Sequence, residues 1–354
     1  MTLWDDLVGQ EPAIAQMKAA AVPGSHAMTH AWLVTGPPGS GRSTLAHAFA
    51  AELVSAGESE AAWRQVIAGA HPDVSILSTN KVTITIEEVR ALVAFSYFSP
   101  SASNYRVVVI EDADRMTERT SNVLLKALEE PPPQTVWILC APSTADVLPT
   151  IRSRTRSVVL KVPGATDVAN LIAAREGLDA DLALVAATEA QSHIGMATRL
   201  ATDEAARSRR AASIELVLGV ASVSGAVGVA ASLLEIAGED AKALGERTDQ
   251  DERDALLTSL GVAPGGAVPS ALRSQLKSLE DDQKRRKTRT LRDALDRIMV
   301  DVMSVLRDVL MVQVQAGVDL INVSHGPAIT AKAQSSTPEM TLAVLDAVRE
   351  ARER

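Results

Sequence analysis

The segment of residues 36–44, which has the sequence GPPGSGRST, constrains this chain more than any other. It matches the phosphate-loop pattern GxxxxGK[ST] except that Arg42 replaces the lysine. An apolar run at residues 32–35 precedes the segment and a helix-like run at residues 44–53 follows it. Glycines let backbone N–H groups approach a polyphosphate, and a helix N-terminus favours an anion. The segment therefore predicts a phosphate site between a strand and a helix, the alternative being an ordinary Gly/Pro turn.

The predicted phosphate site comprises the residues Gly36, Gly39, Ser40, Gly41, Arg42, Ser43 and Thr44. In such loops a lysine ammonium acts as a compact point charge on the phosphates, whereas the guanidinium of Arg42 is larger and planar. The sequence therefore predicts that phosphate binding is retained and that hydrolysis by this chain is weak.

Composition restricts the class of protein. A chain of 354 residues predicts two or three domains, and a net charge of −9 argues against a dedicated nucleic-acid coat or a polybasic membrane binder. Its one cysteine, Cys140, excludes an internal disulfide framework and a cysteine-based zinc site. The first residues lack the pattern of a secretory signal, and no uncharged stretch is long enough to span a membrane. We therefore expect a cytoplasmic protein without a membrane partner.

The first part of the chain alternates strand-like and helix-like runs, which is typical of a parallel sheet covered on both faces. Strands are predicted at residues 32–35, 73–77, 106–110, 136–141 and 158–160, and helices at 44–53, 86–98 and 118–130. Three prolines at residues 131–133 end the last of these helices. The fold class is therefore α/β, with a nucleotide-binding layout.

After residue 164 the strand signals disappear and helical periodicity takes over. We predict a nucleotide-binding domain at residues 1–162, a small helical lid at 163–207 and an all-α domain at 208–354. In the last domain, a helix carries an apolar stripe that is predicted to be buried against other helices and is formed by Leu291, Leu295, Ile298, Val302, Val305 and Val309. A loop is predicted around residues 263–269. The basic run at residues 284–292 is interpreted as a solvated helix face rather than a DNA site.

An acidic pair, Glu111 and Asp112, follows the apolar run at residues 107–110. Carboxylates at the carboxyl end of a strand beside a phosphate loop can hold Mg²⁺ and orient water. ATPases of this kind usually have the order Asp-Glu, so the reversed order here shifts the geometry by about one methylene. The alternative is that these side chains are solvated or cap the next helix.

Three arginines, Arg152, Arg154 and Arg156, alternate just before the last predicted strand. From the residues alone, a solvated or salt-bridged face is favoured over a catalytic role.

Five segments together resemble the bacterial clamp-loader subunits of the AAA+ family. They are the phosphate loop, the 111–112 pair, NVLLKALEEPP at residues 122–132, IRSR at residues 151–154 and WDDLVGQ at residues 4–10. The LLKALEEPP run is the most specific, and the resemblance covers residues 1 to about 160. Beyond these residues it extends only to the helical layout.

This resemblance implies that the chain is a stator in a five-subunit ring with delta and with tau or gamma subunits. In that ring the tau or gamma subunits hydrolyse ATP, and the complex loads a sliding clamp onto primed DNA. It implies that Ser153 and Arg154 form an arginine finger acting in trans, with Thr155 in place of the family's cysteine. It also implies that Leu7 and Val8 line the adenine side of a site for ATP or ADP with Mg²⁺. The rival readings are an ATP-hydrolysing motor subunit and a nucleotide-binding scaffold without a finger.

One departure from the family lies at residues 56–64, where many relatives carry four cysteines that bind zinc. This chain has no cysteine there, so the segment is predicted to be held by packing, with Trp63 as the candidate anchor. His71, shortly before the second strand, is interpreted as structural.

Overall fold

The structure, a computed structural model, describes residues 3–55, 59–79, 83–259 and 273–353. The chain divides into two compact units, residues 1–201 and 202–354.

A five-stranded parallel sheet forms the centre of the first unit. Its strands are β1 (Ala31–Thr35), β2 (Val74–Leu77), β3 (Arg106–Ile110), β4 (Thr135–Ala141) and β5 (Arg156–Val159), in the order β2-β3-β4-β1-β5. In register, Leu33 of β1 lies opposite Leu139 of β4 and Ser157 of β5. Every residue of β1, β3 and β4 is buried, which explains why these strands are continuous apolar runs.

Helices cover both faces of this sheet. They are α1 (Glu11–Ala21), α2 (Arg42–Val54), α3 (Ser59–Ile67), α4 (Ile86–Ser96), α5 (Glu118–Glu129) and the short α6 (Pro149–Arg152). One hydrophobic cluster contains Trp32, Phe49 and Trp63, and another contains Leu33, Leu124 and Trp137. Because Trp32 and Leu33 are neighbours on one strand, these clusters lie on opposite faces.

The predicted α/β class with a parallel sheet and a helical C-terminal part is confirmed. All five predicted strands are present, and β5 begins two residues earlier than predicted, at Arg156. The sequence did not predict α1 or α3. In α3, Trp63 is 7% exposed and packs in the core, as expected of an anchor.

Three further helices complete the first unit: α7 (Ala165–Glu176), α8 (Ala180–Glu189) and α9 (Ile194–Thr202). They share a hydrophobic cluster that includes Ile172, Ala187 and Leu200. This separate cluster is compatible with a helical lid, and its boundaries at residues 163–207 stay a prediction.

The second unit contains α10 (Glu204–Leu218), α11 (Val223–Ser259), α12 (Arg273–Gln313), α13 (Gly326–Ser335) and α14 (Pro338–Glu353). The predicted boundary at residue 208 falls inside α10. The predicted loop around residues 263–269 lies outside the described residues.

The apolar stripe of α12 is buried only along part of its length. Val305 and Val309 are 0% and 1% exposed, whereas Leu291 is 37% exposed, so the prediction that Leu291 is buried was wrong. The basic run makes ion pairs between helices: Arg286 lies 3.3 Å from Asp249 of α11, and Lys287 lies 3.6 Å from it.

Candidate nucleotide site and the Arg154 corner

The phosphate loop joins the carboxyl end of β1 to the first turn of α2. Gly39 and Gly41 have φ angles of 79° and 93°, which only glycine adopts without strain, and Gly41 is the N-cap of α2. A Cβ on Gly36 would lie 2.8 Å from the Cβ of Leu160, and a Cβ on Gly39 would collide with the ring of His193. The predicted strand-loop-helix context is therefore present, and neighbouring side chains pack directly on the glycines.

Two polar atoms of the loop are buried without a hydrogen-bond partner in the described part of the chain. They are the Ser40 Oγ and the Arg42 Nη1. Burying an unpaired donor costs free energy, so such atoms indicate a missing partner. A phosphate oxygen would satisfy the guanidinium of Arg42 with a charge-assisted hydrogen bond. The loop therefore fits a phosphate group.

Gln10 was not predicted as a site residue, although it lies in the quoted segment of residues 4–10. Its Nε2 donates to the Lys161 carbonyl at 2.7 Å and to the Ser40 carbonyl at 3.5 Å, and its Oε1 accepts the Lys161 N–H at 3.1 Å. A single side chain thus links the phosphate loop to the chain that follows β5.

The two residues predicted on the adenine side lie in different surroundings. Leu7 is 3% exposed, and a Cβ on Gly41 would lie 2.7 Å from its Cδ2. Val8 packs instead against the hydrophobic cluster of α7–α9. Only Leu7 is thus shown beside the phosphate loop, and adenine contact by either residue stays a prediction.

Glu111 follows β3 and turns toward α2. Its Oε1 lies 2.8 Å from the His47 Nε2, and hydroxyl groups of Ser78 and Ser43 also bond to it. Burial opposes ionisation, but the contact with His47 and these hydroxyls outweigh it and lower the pKa of Glu111. His47 was missed by sequence analysis, although it lies four residues after Ser43 and thus on the same helix face.

Asp112 does not join Glu111 in this arrangement. Its Oδ2 accepts the Thr79 N–H at 3.2 Å, and its Oδ1 lies 3.6 Å from the Arg115 Nε. Burial and the charge of Asp112 raise the pKa of the neighbouring Asp114. The acidic pair is therefore divided: Glu111 contacts α2, and Asp112 contacts the loop after β2.

Cys140 of β4 lies beneath the start of α2, with its Sγ 3.9 Å from the Arg42 carbonyl. It is fully buried, and burial, reinforced by the nearby charge of Glu111, raises the pKa of its thiol. Cys140 is therefore an unreactive core residue.

Ser153 and Arg154 lie between α6 and β5, at the amino end of the sheet. The Arg154 Nη2 lies 2.5 Å from the Glu129 Oε1, and its Nη1 donates to the Thr150 carbonyl at 2.6 Å. The same Nη1 donates to the Ser153 Oγ at 3.1 Å. We call these four residues, Glu129, Thr150, Ser153 and Arg154, the Arg154 corner.

The flanking arginines have other surroundings. Arg156 donates to the Ala27 carbonyl at 2.7 Å, and its guanidinium carbon lies 5.4 Å from the Trp32 ring centroid. Arg152 is exposed. Arg154 is thus the arginine of the three that a carboxylate holds.

Two other kinds of feature, a metal-ligand cluster and a membrane-spanning helix, are absent from the described ranges. No group of three His, Cys, Asp or Glu side chains there is placed to bind a metal ion. No described helix has the length and apolarity needed to cross a bilayer.

Comparison with known proteins connects these features. A family model described as "DNA polymerase III, delta subunit" matches residues 9–163. DNA polymerase III subunit delta' of Pseudomonas aeruginosa is 36% identical over 146 residues, which are 38% of this chain and 44% of that protein. DNA polymerase III subunit gamma/tau of Mycobacterium tuberculosis is 30% identical over 158 residues, which are 42% of this chain and 27% of that protein.

The sequence match thus spans less than half the length of these relatives. A solved structure of a DNA polymerase III gamma subunit-related protein from Thermotoga maritima aligns with a TM-score of 0.43 and 18% identity, covering 97% of this chain and 99% of that chain. The matched residues contain the phosphate loop, the Glu111 strand end and the Arg154 corner. Residues 9–163 are therefore similar to DNA polymerase III subunits, which agrees with the resemblance predicted from the sequence, and the family model and the delta' relatives support the delta' subunit as the matching member.

Proposed function

We propose that this chain is a stator subunit of the delta' type in a DNA polymerase III clamp loader. In this role it supplies Arg154 in trans to the ATP site of a neighbouring subunit while the complex loads a sliding clamp onto primed DNA. Its partners would be delta and tau or gamma subunits in a five-subunit ring in the cytoplasm.

The observation that carries the proposal is the position of Arg154 in the sheet. Strands β1 and β5 are parallel, with Thr35 opposite Val159 and Trp32 opposite Arg156. The phosphate loop follows the carboxyl end of β1, whereas Arg154 precedes the amino end of β5. The four residues of β5 separate these ends by about 13 Å, at ~3.3 Å per residue. This separation supports a role for Arg154 at a phosphate on another subunit rather than at one in its own loop.

The phosphate loop supports binding of ATP or ADP by this chain. Arg42 and Ser40 offer polar atoms to phosphate oxygens, and Ser43 with Glu111 would hold Mg²⁺, which neutralises charge on the phosphates. The contact of Glu111 with His47 and the replacement of lysine by Arg42 both favour weak hydrolysis. Binding without turnover fits a stator.

The alternative of a motor subunit is favoured by the match to gamma/tau proteins. Robust ATP turnover by the isolated chain, lost on Arg42→Ala, would establish it. A scaffold without a finger is the other alternative, and a test of Arg154 decides between scaffold and stator.

The deciding experiment changes Arg154 to Ala within the assembled complex. We expect assembly to be kept and DNA-stimulated ATP hydrolysis to fall, because a guanidinium no longer stabilises the transferring phosphoryl group. Such fingers contribute about 10³ to 10⁵ in rate at their own site. Other sites keep their fingers, so the total rate falls partially while clamp loading falls further.

Arg152→Ala and Arg156→Ala are the matched controls and should have milder effects. Normal ATP hydrolysis and clamp loading by the Arg154→Ala complex would contradict the arginine-finger role, and so would equal effects of all three substitutions. Either result would favour the scaffold without a finger.

A further inference from the structure

Glu129 is the charged side chain that contacts the guanidinium of Arg154. The Glu129 Oε1 lies 2.5 Å from the Arg154 Nη2, and the two side chains are 48% and 33% exposed. This contact joins the end of α5 to the turn before β5, across a separation of 25 positions in sequence. The site assignments made from the sequence do not include Glu129.

The end of α5 is held firmly, which gives Glu129 a defined position. Leu124 and Leu128 are buried in the core, and the His30 Nε2 lies 2.9 Å from the Leu128 carbonyl. Glu129 is the last residue of α5, and prolines follow from Pro131. The burial of Leu128, its contact with His30 and the prolines that end the helix fix the end of α5. The Glu129 carboxylate therefore has a defined position from which to bind Arg154.

Arg154 still has donors to spare in this arrangement. A guanidinium has five N–H groups. The contacts to Glu129, Thr150 and Ser153 use three of them, which by count leaves the Nε N–H and one N–H of Nη2. Glu129 can therefore remain bound while Arg154 meets an anion.

A free arginine side chain loses rotamer entropy when it is fixed against a ligand. Contacts that fix it beforehand reduce that loss at the moment of binding. We propose that Glu129 is a positioning residue that orients the Arg154 guanidinium toward the phosphates of a neighbouring subunit's nucleotide. This inference rests on the finger function of Arg154 and deepens it.

The test replaces Glu129 by Gln, which keeps the size and removes the charge. Glu130→Gln is the matched control, because Glu130 is the adjacent exposed glutamate. In the assembled complex, Glu129→Gln should lower the share of DNA-stimulated ATP turnover that comes from the site served by Arg154 by about two- to fivefold. The loss should be smaller than that caused by Arg154→Ala, with little change in KM. Glu130→Gln should leave both unchanged, and both variants should unfold at the temperature of the wild type.

The double variant separates positioning from an unrelated structural effect. In an Arg154→Ala background, Glu129→Gln should cause no further loss, because the side chain that it orients is gone. Equal rates for Glu129→Gln and Glu130→Gln, or a higher rate for Glu129→Gln, would overturn the positioning role. An unchanged rate for Arg154→Ala would instead overturn the finger function itself, so the two failures are distinguishable.

Discussion

The two ends of the parallel sheet each hold an arginine that is partly or fully buried, but the two guanidinium groups have different surroundings. At the amino end, Asp73 is fully buried, and Arg106, at 5% exposure, lies 3.1 Å from its Oδ1. At the carboxyl end, Arg42 has an Nη1 without a partner among the described residues, and Glu111 turns to His47 instead.

The Asp73 carboxylate is saturated. Five hydrogen bonds reach its two oxygens from backbone N–H and hydroxyl groups of Ser101, Ala102 and Ser103, at 2.7–3.0 Å. Arg106 also donates to the Ser99 carbonyl, and its guanidinium carbon lies 4.4 Å from the Phe95 ring centroid, although its Nε finds no hydrogen-bond partner among the described residues.

The difference between the fully hydrogen-bonded Asp73 and the unpaired donor of Arg42 indicates a structural role for the first and a binding role for the second. A saturated buried carboxylate orders the loop before β3 and has little capacity left for a ligand. An unpaired donor in a glycine-rich loop retains that capacity. We therefore expect substitutions in the Asp73 network to change stability and substitutions in the phosphate loop to change binding.

The largest expected effect comes from Asp73→Asn. The amide would place donor hydrogens against the backbone N–H groups that now donate to Asp73, and Arg106 would lose its charge partner. Breaking a buried pair in this way lowers the free energy of unfolding by about 3–5 kcal/mol. Urea unfolding measures it, with the exposed Asp146→Asn as control. A change below 1 kcal/mol, on the scale of surface pairs, would show that the network is not structural.

Arg42→Ala should have the next largest effect. Losing a charge-assisted hydrogen bond to phosphate costs about 1.5–3 kcal/mol, which weakens ADP binding by about ten- to a hundredfold. Calorimetry on the isolated chain measures this, with the exposed Arg90→Ala as control. Unfolding of the Arg42→Ala variant should match the wild type. If the folded Asp73→Asn variant binds ADP as weakly as Arg42→Ala does, the proposed difference between the Asp73 network and the phosphate loop is wrong.

The smallest effect is the pH dependence of the amino end. Although burial alone would raise it, hydrogen bonds from Ala102, Ser101 and Ser103 lower the pKa of Asp73 to about 2. A carboxyl whose folded pKa lies below its unfolded value of about 3.9 stabilises the protein above that value. This contribution is lost as the pH falls through the folded pKa. The stability difference between wild type and Asp73→Asn should therefore stay constant from pH 7 to 5 and shrink from pH 4 toward 2.

A stability difference between wild type and Asp73→Asn that grows as the pH falls would contradict the lowered pKa of Asp73. Unfolding of both proteins at matched pH values cancels the contribution of other carboxyl groups to first order.

His71 illustrates how far local sequence could go. Its interpretation as a structural residue agrees with its burial and with the Asp73 N–H that donates to its Nδ1 at 3.2 Å. The role of Asp73 itself was not predicted, because its partners lie 28 to 33 positions away. Sequence patterns indicate which residues are neighbours along one helix or strand, but they do not indicate contacts between residues that are far apart in the sequence.

The sequence by itself determined the parallel α/β module, the strand-loop-helix context of the phosphate loop and the resemblance of residues 9–163 to DNA polymerase III subunits. These depend on local patterns: apolar runs for buried strands, glycine where φ is positive, and proline where a helix ends. Only the tertiary structure decided that Glu111 pairs with His47, that Gln10 links the loop to the chain after β5, and that Glu129 holds Arg154. Those contacts join residues from separate elements, and their partners are selected by the strand order and by the ends at which the connecting loops emerge.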